Sequence, residues 1–174
     1  MPKNSRKQID TDENKVISEL QRNSKESIDK IAKKCGFSRQ KVWRIIKRLE
    51  KNKTIWGYHA VIDEEKINLK SYLLLIKRSN EPMDKNIMKM IQDMSAKKFD
   101  TDLINIKSLH YLHGAYDFVV NMTASDIKQA KKFIEIINQT HSKYFSEILL
   151  IEKIFSLKKC EILNPNPEKI KEFF

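Results

Sequence analysis

The stretch SRQKVWRIIKRLEKNK, Ser38 to Lys53, restricts this chain more than any other. Val42, Ile45, Ile46 and Leu49 recur at i, i+3, i+4 and i+7, the spacing of one apolar stripe on a helix, and a stripe of that kind must be covered by other elements. Ser38 precedes the stripe as a helix N-cap, its hydroxyl placed to accept from a first-turn amide. At about 100° per residue, Gln40, Arg44, Lys47 and Lys51 gather on the side away from the stripe, with Arg39, Lys41, Trp43 and Arg48 on its flanks. Upstream, SIDKIAKK predicts a shorter helix capped by Ser27 with Ile28, Ile31 and Ala32 inward, closed by the turn Cys35, Gly36, Phe37. Helix, glycine turn and basic helix form the helix-turn-helix pattern. A basic helix face is most often only a solvated face. Here the first turn, where a reading helix meets base edges, holds Arg39, Gln40 and Lys41, and this favours double-stranded DNA as the partner.

The charge distribution agrees with that placement. The net charge is +11, and residues 1–63 carry 16 Lys and Arg against 8 Asp and Glu, while the rest of the chain carries 18 against 15. A basic front half on a nearly balanced back half suggests a nucleic-acid module joined to one with another task. The 174 residues have room for two half-size domains. No apolar run approaches the length of a membrane span, and MPKNSRKQ leads into a polar helix start, so a cytoplasmic protein without a membrane partner is expected. Cys35 and Cys160 fall in different predicted domains with no CxxC, which predicts free thiols.

Residues 1–9 read as a basic tail, followed by a helix from about Asp10, where Asp10 and Glu13 have capping-box spacing, to Arg22, with Val16, Ile17 and Leu20 inward. Three helices then make a DNA-binding domain over residues 1–53. TIWGYHAVID, rich in β-branched and aromatic residues, predicts a linking strand within a hinge spanning 54–70, with Trp56 and Tyr58 stacked on a neighbouring strand. Beyond it the pattern is strand from Ser71, helix 82–98 with Ile87, Met90, Ile91 and Met94 inward, strands 103–112 and 116–124, a helix capped by Ser125 or Asp126 with Ile127, Ala130, Phe133, Ile134 and Ile137 inward, and strand 144–157. That βαββαβ order is ferredoxin-like, placing an assembly domain at 71–157 and making the chain α+β. One sheet face is left open and apolar, and a second copy is the expected cover. The tail, 158–174, offers Asn166 as a cap, Pro167 at the first helical position, and Ile170, Phe173 and Phe174 as an apolar side.

Enzyme chemistry is not legible. His110 and His113 suggest a metal, yet residues three apart on a strand face opposite ways and no third ligand is near. GxGxxG and P-loop motifs are missing, and Gly36, Gly57 and Gly114 are too scattered to build either. Neither a catalytic residue, a metal nor a cofactor is expected.

With both halves read, the chain resembles the Lrp/AsnC, or feast/famine, transcription regulators. The likeness covers about residues 9–157 and rests on ID followed by VISEL, on IAKKCGFSRQKVWRIIKRLE, on IWGYHAVID and on HGAYDFVVNMTASD. It implies an N-terminal helix-turn-helix joined to a ferredoxin-like domain, with homodimers or higher homo-oligomers binding DNA and Ser38 to Arg44 entering the major groove. It also implies a small-molecule pocket, often for an amino acid, near Gly114 and Asp117. His113 stands where a small or hydroxyl residue is commoner, and its ring would be able to fill such a pocket. Asp117 would supply an anion for an ammonium, and Gly114 a tight turn at positive φ exposing amides; a turn-stabilising carboxylate is the other reading of Asp117. The residues expected on DNA are then Arg39, Gln40 and Arg44 at base edges and Lys41, Lys47, Arg48 and Lys51 at phosphates, flanked by Ser38 and Trp43. Two alternatives stay open, a low-specificity architectural DNA-binding protein and an enzyme resembling the siroheme decarboxylases, whose histidine-centred motif is not found here.

Overall fold

The structure is a computed structural model describing residues 6–95 and 104–174; the expectations for residues 1–5 and 96–103, and for the side chains of Met90 and Met94, lie outside the described residues. The chain divides into two units. The first comprises residues up to Val61 together with Leu157–Phe174, and the second Ile62–Ser156.

In the first unit, α1 (Arg6–Arg22), α2 (Ile28–Cys35) and α3 (Arg39–Lys51) enclose one core. Val16, Ile31, Ala32, Val42, Ile45, Ile46 and Leu49 are buried there, with Ile17, Leu20, Ile28 and Phe37 packed against them. The helical period therefore located the stripe. The start of α1 differs from expectation: the chain is already helical at Arg6, which puts Asp10 and Glu13 in the helix interior. No helix breaker follows Pro2, and the apparent capping box has nothing to cap. Ser27 caps α2 by accepting from the Lys30 amide, and Gly36 ends it at φ 70°, where any side chain would be strained. The Phe37 amide then reaches back to the Ala32 carbonyl at 2.9 Å.

No strand forms between α3 and residue 70. A strand needs a ladder partner, and among the described residues the segment finds none. Trp56 is accordingly 94% exposed rather than stacked on a neighbour, and Tyr58 is half exposed, its hydroxyl donating to Glu50 Oε1 at 3.2 Å. The tail makes a small hairpin, β5 (Lys158–Lys159) with β6 (Ile162–Leu163), and then a 3₁₀ helix over Pro167–Phe173. Asn166 makes no side-chain cap there, and Phe174 is exposed.

The second unit holds β1 (Lys70–Arg78), α4 (Lys85–Ser95), β2 (Ile104–Tyr111), β3 (Phe118–Ala124), α5 (Ile127–His141) and β4 (Phe145–Lys153). Its sheet has the order β2-β3-β1-β4 with every neighbour antiparallel, the ferredoxin-like arrangement. Asp84 opens α4 by accepting from the Asn86 and Ile87 amides, and Asp126 opens α5 by accepting from Gln129. Alternation along the strands sends Tyr72, Leu74, Ile76, Phe118, Val120 and Met122 into a core with Ile87, Ala130, Phe133 and Ile137. Ile127, expected inward, is exposed in the first turn of α5. On the other face, cross-strand register puts Leu75 between Val119 and Leu149, and Leu73 beside Ile151. Leu149 and Ile151 are 39% and 37% exposed.

Candidate nucleic-acid interface

The Ser38 hydroxyl accepts from the Lys41 amide at 3.3 Å, so the reading helix begins where the sequence placed it. Burying Val42, Ile45, Ile46 and Leu49 turns the opposite side outward. Arg39, Gln40, Trp43, Arg44, Lys47, Arg48 and Lys51 are exposed there, and Lys41 is half-buried.

The structure adds what these cations already hold. Arg39 Nη1 lies 3.4 Å from Asp29, Lys47 Nζ 2.8 Å from Glu50, and Arg48 Nε 2.6 Å from Glu13. The Arg39 and Lys47 pairs are solvent-exposed on the basic side, where such contacts stabilise by about 1 kcal/mol or less and exchange readily, whereas the Glu13 side chain that holds Arg48 is only 18% exposed. The Lys47 ammonium holds Glu50 below the usual carboxylate range, with burial opposing it and the Tyr58 hydroxyl assisting. Lys41 is different. Its Nζ sits 2.7 Å from Asp12 Oδ2 and 3.8 Å from the centre of the Phe37 ring, and the Asp12 side chain is only 5% exposed. Gln8 donates to the other Asp12 oxygen at 3.0 Å. The bond from Lys41 is the main influence lowering the Asp12 carboxyl, with desolvation working against it. Among the described residues, Gln40, Trp43, Arg44 and Lys51 have no side-chain partner.

Sequence reasoning missed the acids. A usable signal was present, because Asp12 stands four residues before Val16 and thus on the core-facing side of α1, where an unpaired carboxylate would be costly.

At the second candidate site, Asp117 is half-buried and its Oδ2 accepts from the Arg78 amide at 2.7 Å, while its own amide donates to the Ile76 carbonyl at 2.9 Å. It fastens the β2–β3 loop to the end of β1, where the register with β4 shifts. His113 and Gly114 are exposed. Gly114 does not take the positive φ expected of it; Gly36 is the glycine that does. The loop from Leu112 to Asp117 is long enough to reverse without a left-handed residue. Among the described residues, no cluster of His, Cys, Asp and Glu could hold a metal ion, and no helix is long and apolar enough to cross a membrane.

A family model for winged helix-turn-helix DNA-binding domains matches residues 13–55. The leucine-responsive regulatory protein of Haemophilus influenzae is 26% identical over 137 residues, 77% of each chain. An AsnC family transcriptional regulator from Agrobacterium tumefaciens superposes with a TM-score of 0.66 at 19% identity, covering 88% of this chain and 95% of that one. A feast or famine regulatory protein of M. tuberculosis, solved as a complex with L-methionine, gives a TM-score of 0.65 at 18% identity, covering 87% and 95%. Helix-turn-helix, ferredoxin-like sheet and regulatory relatives converge: in sequence and in fold the chain is similar to the Lrp/AsnC transcription regulators.

Proposed function

We propose that this chain is a sequence-specific transcription regulator that binds duplex DNA as a dimer, with Gln40 and Arg44 reading base edges from the first two turns of α3. The observation carrying this is the pairing pattern. An architectural protein that coats DNA depends on phosphate charge, whereas here four basic groups of α3 hold carboxylates and the unpartnered set includes an amide and an indole, groups suited to base edges and thymine methyls. The regulatory names of the relatives support regulation over catalysis.

Arg44→Ala should cost about 1 to 3 kcal/mol on a selected site and relax preference at one base pair, whereas Lys47→Ala should weaken all sequences alike. Titration of both variants on a site selected from a random pool, with base substitutions at each position, measures this. Equal losses on every sequence for Arg44→Ala would favour the architectural alternative.

We further propose an amino-acid effector at the β2–β3 loop. The support is the relative solved with L-methionine and the carboxylate of Asp117, whose Oδ1 has no partner among the described residues. Asp117→Asn keeps an oxygen for the Arg78 amide while removing the charge. It should abolish an effector response, typically about 1 to 3 kcal/mol of coupling, and leave unliganded DNA binding intact. Calorimetry against the twenty amino acids with no heat for any would discard the effector.

A further inference from the structure

We infer that Lys41 is a positioning residue rather than a phosphate ligand: its pair with the buried Asp12 fixes the first turn of the reading helix against α1, and so sets where Gln40 and Arg44 point. Three observations support this. The Asp12 carboxylate is nearly inaccessible and is bonded on both oxygens, by Lys41 at 2.7 Å and by Gln8 at 3.0 Å. The Lys41 ammonium also lies over the ring of Phe37, the residue that closes the turn between α2 and α3, so its place is fixed from two sides. Finally, Arg48, two turns further along the same helix, pairs with Glu13, the neighbour of Asp12. Two consecutive acids of α1 therefore hold α3 near both of its ends. Withdrawing Lys41 to a phosphate would strand a desolvated carboxylate, a cost the exposed pairs of Arg39 and Lys47 do not carry.

A phosphate ligand and a positioning residue answer the same substitutions with different signs. The reading rests on the DNA-binding function proposed above, and the wild-type chain is the control: no affinity for any duplex would overturn that function and this role together. With binding present, affinities are measured for a selected site and for random duplex across a salt series. Asp12→Asn should lower the ratio of specific to random binding about tenfold, because the first turn loses its anchor. Were Lys41 a phosphate ligand, freeing it would instead tighten binding to both duplexes. Lys41→Met should lower the same ratio while leaving the slope of log affinity against log salt unchanged; a slope shallower by about 1.8, one phosphate lost in each protomer of a dimer, with the ratio intact, would overturn the proposal. Melting curves monitor folding. Should either single variant unfold, the exchange Asp12→Lys with Lys41→Asp keeps an ion pair while moving its charges. Recovery of the ratio to within about threefold of wild type supports the positioning role, and a uniform loss on all sequences overturns it.

Discussion

Raising the salt concentration from about 50 to 200 mM should weaken duplex binding by the protein by about 10- to 10³-fold. Each neutralised phosphate contributes a slope of about −0.9, so a fourfold rise in salt costs about 3.5-fold per contact. With Arg44 at a base edge, Lys51 is exposed and, among the described residues, unpartnered in each protomer, giving about two contacts in a dimer and the lower bound. Arg39 and Lys47 would triple that number if they exchange Asp29 and Glu50 for phosphates, giving the upper bound. Counting every basic residue of α3 would predict a steeper dependence, and the structure explains why that count is too high. Two carboxylates of α1, Asp12 and Glu13, already act as the counterions of Lys41 and Arg48. Fluorescence anisotropy across the salt series decides the matter. A salt-independent affinity would remove duplex DNA as the partner.

The parts of the fold legible in the sequence are those specified by local chemistry. The stripe from Val42 to Leu49, the Ser27 and Ser38 caps and the left-handed Gly36 each follow from residues within a few positions of one another. What escaped depends on distant partners or their lack. Asp10 and Glu13 have the spacing of a helix start, but that spacing is equally available inside a helix, so α1 was read four residues short. TIWGYHAVID has strand composition, yet composition supplies no ladder partner. The tail hairpin turns through Cys160 and Glu161 at φ 45° and 67°, a conformation that Asn and Gly ordinarily signal and that neither residue announces. The exposed basic side of α3 was legible as a set of positions and illegible as a charge. Periodicity told which side chains leave the core, but whether a basic side chain is available depends on carboxylates 29 and 35 positions away, Asp12 for Lys41 and Glu13 for Arg48.

Leu149→Asp is expected to convert the protein from a species of twice the 20.6 kDa chain mass to a monomer in sedimentation at micromolar concentration. The side chain lies on the face of the sheet that carries no helix, beside Leu75 and near Val119, Leu73 and Ile151, with Lys77, Glu147 and Lys153 in the same registers at its margin. An apolar centre with a charged margin is the anatomy of an interface. In a two-fold assembly the same patch serves both subunits, so one substitution enters the interface twice. An unpaired carboxylate desolvated there costs about 3 kcal/mol or more at each copy, weakening association by about 10⁴-fold. Within a protomer the position is partly solvated, so folding should survive, and melting of the variant checks that. The consequence extends to DNA. A dimer places its second reading helix at an effective concentration of about millimolar once the first has bound, and a monomer forfeits that gain of about 10²- to 10⁴-fold. It also engages half as many phosphates, so its salt slope should fall to about half that of wild type. Sedimentation as a dimer with unchanged DNA affinity would show that the open sheet face is not the assembly surface; a monomer with half the slope would tie sheet, dimer and reading helix into one mechanism.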